Sequence, residues 1–167
     1  MGVSIRRAGA EDGEALFLVH RESVLAAYVE IFPPDCYRFP AEEMRAYWNE
    51  ALGEPDRVFL VAERDGTVVG FAGISPGWLR NLFVNPGEWG SGIGATLHDK
   101  AVELLRGSNG GVLLWVLEAN DRARAFYERR GWRPDGGRQQ AEHPPHPPEL
   151  RYRLDWAPPL AALSPPL

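Results

Sequence analysis

Apolar positions divide the chain into helical and extended stretches. Val3 to Arg7 reads as a short first strand. From Glu11 to Val29, the residues Ala15, Leu16, Val19, Ser23, Ala26 and Ala27 fall on one stripe, which is the spacing of an amphipathic helix. Phe32-Pro33-Pro34 breaks it. Pro40 suits the first turn of a second helix, in which Met44, Tyr47, Trp48, Ala51 and Leu52 recur at helical spacing until Gly53. The period then changes. Val58 to Ala62 is a short apolar run, Asp65-Gly66 is a strong hairpin turn, and Thr67 to Ile74 returns from it. After a second turn at Ser75-Pro76-Gly77, Trp78 to Val84 reads as another strand. A loop, Asn85 to Trp89, and a glycine-rich segment, Gly90 to Gly94, lead into a helix with Ile93, Leu97, Ala101, Leu104 and Leu105 on one face. Gly107 to Gly111 ends that helix. Val112 to Leu117 is a continuous apolar run, as expected of a strand covered on both faces. Asn120 to Arg130 predicts a short helix closed by Gly131, and Arg151 to Trp156 a last strand. Between them Asp135 to Pro148, rich in Gly, Gln, His and Pro, reads as a long loop or ragged hairpin.

Strands fill the middle, with helices before them and interleaved after them, which predicts an α/β fold on a mixed sheet. At 167 residues the chain supports one core, expected over residues 1–156. Residues 157–167 form a proline-rich tail expected to be disordered. The net charge of -5 argues against a nucleic-acid partner, because phosphate binding needs a basic face. A single cysteine, Cys36, excludes an internal disulfide and a Cys-rich zinc site, and no metal is expected. No apolar run approaches the ~20 residues of a membrane span, so no membrane partner is expected. The charged start, Met1 to Arg7, has no apolar stretch behind it, so no secretion signal is expected and the cytoplasm is the default location.

The most informative stretch is Leu82-Phe83-Val84-Asn85-Pro86-Gly87-Glu88-Trp89-Gly90-Ser91-Gly92-Ile93-Gly94. A strand ends, a loop turns, and a helix begins at alternate glycines. Lacking Cβ atoms, such a backbone can bring its N–H groups close to a ligand. A helix start adds unpaired N–H donors and partial positive charge, which together suit a phosphate or pyrophosphate. The plain alternative is a tight loop or close packing of helix on sheet. No Lys-Ser or Lys-Thr follows, so this is not a P-loop. Gly90 to Ala95 does fit the dinucleotide pattern G-x-G-x-x-A, and Glu118 lies near the distance of a ribose-binding acid. Against that reading, five residues separate the first glycine from its strand, and the segment does not open the fold.

The second informative stretch runs from Leu117 to Trp132, with Asn120, Ala123, Tyr127 and Gly131-Trp132 at fixed spacing. Together with Trp89-Gly90-Ser91-Gly92-Ile93-Gly94, it resembles the GNAT superfamily of N-acyltransferases. That family carries a pyrophosphate loop of the form Gln/Arg-x-x-Gly-x-Gly/Ala, followed by an Asn, an Ala, a Tyr and a Gly-Phe pair. The resemblance covers about Val3 to Trp156. It implies a mostly antiparallel central sheet, helices on both faces, and a splayed pair of parallel strands, Trp78–Val84 and Val112–Leu117. Acetyl-CoA is the implied co-substrate, its pantetheine arm lying in the gap along Leu82, Phe83 and Val84 as an added strand would. Backbone N–H groups near Phe83 and Val84 would hold the thioester carbonyl and the oxyanion. The amides of Gly90, Ser91, Gly92, Ile93, Gly94 and Ala95, after Trp89, would hold the pyrophosphate. Asn120 would bond the pantetheine arm and Tyr127 would protonate the departing thiolate.

Each residue also has a plainer reading. Asn120 can simply cap its helix. Tyr127, with Phe126, can be aromatic core, and Phe126, Trp132 and Trp115 are read as core. Trp89 replaces the Gln or Arg usual in the family's loop, so any charge that residue gives the pyrophosphate is absent. Arg122 and Arg124 read as a solvated helix face, with contact to a CoA phosphate as the alternative. Family members often carry a Glu base where Trp78 stands; Glu30, Glu118, His20 and Asp35 are the substitutes in this sequence. His143 and His146 read as neither metal-binding nor catalytic, and His98 as surface. Tyr28, Phe32, Tyr37 and Trp78 suggest an aromatic-lined pocket for a small molecule, and Glu30 and Asp35 would suit a cationic amine. A peptide amine is equally compatible, and the chain is expected to be a monomer or homodimer. A non-catalytic acyl-CoA binding module and a dinucleotide-binding domain remain as alternatives.

Overall fold

The structure, a computed structural model, describes residues 2–29, 35, 38–108 and 110–156. The expectations placed on Glu30, Phe32, Tyr37 and the 157–167 tail lie outside the described residues. In chain order the elements are β1 (Val3–Arg7), α1 (Gly13–Ala27), α2 (Ala41–Ala51), β2 (Val58–Arg64), β3 (Thr67–Ser75), β4 (Trp78–Val84), α3 (Ile93–Leu105), β5 (Val112–Leu117), α4 (Asp121–Glu128), β6 (Arg133–Gln140) and β7 (Pro148–Leu154). All seven strands join one sheet in the order β1-β2-β3-β4-β5-β7-β6. Only β4 and β5 are parallel; every other neighbouring pair is antiparallel.

Alternation along the strands builds two cores. In β2, Leu60 and Ala62 face one side, with α3, Trp132 and Tyr152. Phe59 and Val61 face the other, with Leu16, Phe17, Val19, Met44 and Trp48 from α1 and α2. The Asp65-Gly66 turn has both residues at positive φ, the backbone that a tight hairpin between twisted strands requires. Two helical stripes differ from the sequence reading. In α1, Phe17 is buried while Ala26 and Ala27 are exposed. In α3, Leu104 is exposed and His98 is buried, so the inward stripe is Ile93, Leu97, His98, Ala101, Val102 and Leu105.

The segment read as a loop or ragged hairpin is a hairpin. β6 pairs with β7, and its register shifts between Pro134 and Arg138. Pro134 is tolerated there because β6 is the edge strand of the sheet. The last strand starts at Pro148, three residues before the expected Arg151.

Candidate active site

β4 and β5 touch at one end only. Trp78 registers with Leu113, the Leu113 N–H donates to Gly77 C=O at 3.0 Å, and no further pair joins the two strands. The cause lies in β4. Gly73 faces Asn81 and Ile74 faces Leu79, so Arg80 is an extra residue. Such a bulge bends and twists its strand, and this one sits just past the last shared pair. The strands therefore diverge, and a cavity of about 870 Å³ opens between them, reaching from the glycine loop to the loop after β6.

The register decides which β4 groups face the gap. Asn85 N–H donates to Val69 C=O at 2.8 Å, and Val69 is the residue before the Gly70 that faces Val84. By alternation Phe83 also turns its N–H toward β3, while Leu82 and Val84 turn theirs toward β5. Phe83 is thus removed from the set of amides available to a ligand; its ring lies on the cavity wall, 4.8 Å from that of His20. Val84 C=O, on the open edge, accepts from Ser23 Oγ at 2.9 Å and from Trp89 Nε1 at 2.8 Å. Helix α1 and the loop indole together pin the end of the strand.

The loop after β4 makes one 3-10 turn, Pro86–Glu88, and then the glycines reverse the chain into α3. Gly90 and Gly92 have φ of +82° and +90°, which an L side chain adopts only under strain. Thr96 is the first residue whose N–H finds a partner from the helix start, Gly92 C=O at 3.0 Å. The N–H groups of Ile93, Gly94 and Ala95 are therefore the unpaired donors that every helix start leaves. Two expected details differ. The Ser91 N–H is taken by Glu88 C=O at 3.2 Å, so it is not free for an anion. Ile93 has its side chain in the core, so it can contribute only its backbone.

Helix α4 brings in the remaining groups. Asn120 is its N-cap: Oδ1 accepts from Ala123 N–H at 3.1 Å, and Nδ2 donates to Tyr28 Oη at 3.2 Å. One side chain thereby closes α4 and ties it to the end of α1, 92 residues away. Asn120→Ala is expected to lower unfolding stability by about 1 kcal/mol, the usual worth of such a cap, read from urea midpoints. Seven residues on, Tyr127 packs its ring against Phe126, His98 and Trp132 while lining the cavity. Burial and the neighbouring Tyr28 hold its phenol well above the ordinary value of 10. Burial raises the Tyr28 phenol too, helped by Glu149 and opposed by the Asn120 bond.

Other expectations change. Trp78 lies at the zipped end of β4, stacked on Trp115, and is not on the cavity wall. Glu118 pairs with Arg138 at 2.9 Å, and neither it nor Asp35 lines the cavity. His20 does, but burial lowers its pKa to about 4 and its Nδ1 accepts from Trp48 Nε1 at 3.2 Å, so it is neutral with that lone pair engaged. Among the described residues the carboxylates on the wall are Glu88, Glu142 and Glu149, and Glu88 is paired with Arg64. His143, set aside in the sequence, lines the cavity from the loop after β6. Arg124 is no solvated residue: it donates to Tyr152 Oη at 3.0 Å and to Glu118 C=O at 3.1 Å. His98, read as surface, is buried because Trp132 Nε1–H needs an acceptor, which His98 Nε2 provides at 2.9 Å. Tyr28 could be singled out from sequence only as an aromatic; its bond to Asn120 is a product of the fold.

No cluster of three or more His, Cys, Asp or Glu able to hold a metal occurs among the described residues, and no helix there is long and apolar enough to cross a membrane. Known proteins with the same arrangement are numerous. The sequence model of the Acetyltransferase (GNAT) family matches residues 16–132. An uncharacterized N-acetyltransferase of Archaeoglobus fulgidus is 31% identical over 154 residues, 84% of this chain and 100% of that protein. The peptidyl-lysine N-acetyltransferase YjaB of Salmonella typhimurium is 32% identical over 136 residues, 81% of this chain and 87% of its own. Among solved structures, apo YjaB from Escherichia coli superimposes with a TM-score of 0.72 at 26% identity, covering 92% of this chain and 97% of that one. The PaiA N-acetyltransferase of Thermoplasma acidophilum, solved with coenzyme A, gives a TM-score of 0.68 at 22% identity over 92% of this chain and all of the other, a likeness of fold. With this match over most of its length, and with one parted pair of parallel strands above a glycine loop, the chain belongs to the GNAT family of acetyltransferases.

Proposed function

We propose that the protein moves an acetyl or other short acyl group from acyl-CoA to a primary amine by direct attack, and that the amine belongs to a small molecule. The observation that carries this reading is the gap between β4 and β5, open along one edge and ending at the unpaired N–H groups of α3. Acyl-CoA supplies the acyl group on a thioester. The chain's residues fit such a ligand in three places. The Leu82 and Val84 N–H groups face the gap, where an extended arm can pair with them as a strand would and a carbonyl oxygen can be held. The donors of Gly90, Gly92, Ile93, Gly94 and Ala95 offer a diphosphate the amides and partial charge of a helix start. Tyr127 presents a fully protonated phenol, able to donate to a sulfur that is gaining negative charge. Asn120 holds the α4 start beside that phenol, its Nδ2 also available to the arm.

A small acceptor is favoured by the cover on the cavity. Ala141, Glu142, His143 and Pro144, in the loop after β6, line the cavity together with Tyr28, Phe39 and Trp48. A second reading, a peptide lysine as acceptor, draws on the name of the YjaB relative. The dinucleotide alternative fits poorly: a 3-10 turn separates β4 from the glycines, and β4 shares only one pair with β5, whereas that motif follows its strand directly in a paired parallel unit.

The test is turnover of acetyl-CoA with small primary amines and with lysine-containing peptides, read as free thiol, beside calorimetric binding of CoA. Turnover restricted to small amines is the expected result. Turnover with peptides alone gives the second reading. Binding of CoA with no turnover for any amine, in wild type and Tyr127→Phe alike, leaves a non-catalytic module, and absence of CoA binding overturns the proposal.

A further inference from the structure

We infer that Arg122, from helix α4, supplies the cation for the diphosphate that the glycine loop itself lacks, and that Trp89 is the platform holding it there. The inference rests on the acyl-CoA reading above. From Asn85 to Asp99 the sequence contains no Lys or Arg, and Trp89 occupies the place of the loop's polar residue. A guanidinium adds charge-assisted, bidentate hydrogen bonds to a diphosphate, roughly twice as strong as those that neutral amides supply.

Arg122 is placed for that role. Its guanidinium carbon lies 3.8 Å from the centre of the Trp89 ring. The indole is itself fixed, its Nε1–H donating to Val84 C=O at 2.8 Å. Both residues border the same cavity as Gly90, Gly92, Gly94 and Ala95. Stacking on a ring face uses the π surface of the guanidinium and leaves its N–H fork available. No ion pair or hydrogen bond engages the Arg122 side chain among the described residues. Two other arginines of the wall are engaged, Arg130 donating to Phe126 C=O at 3.2 Å and Arg80 to Ser75 Oγ at 2.8 Å, while Arg38 and Arg129 share the wall without such a bond among the described residues but have no ring of the glycine loop to hold them. A cation held in place by an uncharged ring keeps its charge for a ligand, and the ring removes part of the side-chain freedom that binding would otherwise have to restrict.

The experiment compares Arg122→Gln, Arg122→Lys, Trp89→Leu and the double variant Trp89→Leu/Arg122→Gln with three acyl donors. Acetyl-CoA carries both the diphosphate and the 3′-phosphate, acetyl-dephospho-CoA only the diphosphate, and acetyl-pantetheine neither. Arg122→Gln is expected to raise KM about 10- to 100-fold for the first two donors, the usual worth of a charge-assisted hydrogen bond. It should leave kcat, and KM for acetyl-pantetheine, unchanged. Arg122→Lys should fall between, having the charge without the planar fork. Trp89→Leu should weaken the diphosphate donors several-fold more than acetyl-pantetheine, the penalty common to all three donors reporting the lost bond to Val84 C=O; beyond that common penalty the double variant should be no worse than Arg122→Gln alone, as expected of coupled partners. A penalty that vanishes with acetyl-dephospho-CoA assigns Arg122 to the 3′-phosphate and overturns the inference. So does an equal penalty on all three donors, or none. Wild type that binds CoA while Arg122→Gln binds it equally well sinks only this inference; wild type that binds no CoA sinks the acyl-CoA reading and this one with it.

Discussion

Tyr127→Phe is expected to lower kcat with acetyl-CoA by about 10²- to 10⁴-fold, the range a positioned proton donor contributes, while leaving CoA affinity and unfolding stability close to wild type. The ring contacts with Phe126, His98 and Trp132 survive the change, and only the hydroxyl is lost. The physical case rests on charge. A thiol with a pKa of about 8.5 departs as an anion, and an anion in a half-closed cleft lacks the water that would solvate it. A phenol pushed above its ordinary value stays protonated throughout the neutral range, so it always has a hydrogen to offer. The loss should accordingly be uniform between pH 6 and 9, with no limb of the pH–rate profile vanishing in the variant. Tyr28, whose phenol stands beside the same site, is the control. If Tyr28→Phe brings the large loss and Tyr127→Phe does not, the donor has been assigned to the wrong phenol, and Tyr127 serves as aromatic core.

The second large effect concerns stability and acid. His20 is held neutral by burial among Phe39, Trp48 and Phe83, with the positive field of His143 adding to the shift. Its folded pKa of about 4 lies below the 6.5 of an unfolded histidine. Between those values the unfolded chain binds a proton that the folded chain refuses, so stability is fully present above pH 6.5 and falls as the pH drops toward 4. At about 1.4 kcal/mol per unit, the loss reaches roughly 2.5 kcal/mol by pH 4.5. His20→Gln keeps an acceptor for Trp48 Nε1 and has nothing to titrate. Urea midpoints from pH 7.5 to 4.5 should show wild type losing about 2.5 kcal/mol relative to that variant. Parallel losses in the two proteins would show that His20 is freely protonated in the fold. Carboxylates and His98, common to both proteins, cancel in the difference.

Much of this site is written locally. The glycine segment had to reverse direction and leave N–H groups unpaired wherever it lay, and Asn120 stands at the one position where an asparagine closes the coming helix. Periodicity located α1 to α3 and β2 to β5, which carry buried faces, whereas α4, with no buried residue, is marked by Asn120 before it and Gly131 after it. It failed where a buried position holds a polar residue. His98 lies on the inward face of α3, yet an imidazole beside Asp99 reads as solvated until Trp132 is seen to need an acceptor. It failed again at β6, an exposed edge strand whose pairing skips from Pro134 to Arg138, so no alternation is present to be read. The remaining gaps are long-range. Tyr28 reaches Asn120, Ser23 reaches Val84, and Arg122 settles on Trp89. No window of sequence contains both halves of any of these contacts.

The single shared pair at Trp78 and Leu113 also bears on kinetics. A guest that lengthens a sheet ordinarily waits for the host to break an existing ladder. Along Leu82 and Val84 no ladder exists to be broken, since the bulge at Arg80 separated the two strands when the chain folded. On the acyl-CoA reading, capture of an extended arm is expected to be limited by diffusion and orientation, in the ordinary range of about 10⁵ to 10⁷ M⁻¹s⁻¹, without a slow opening step ahead of it.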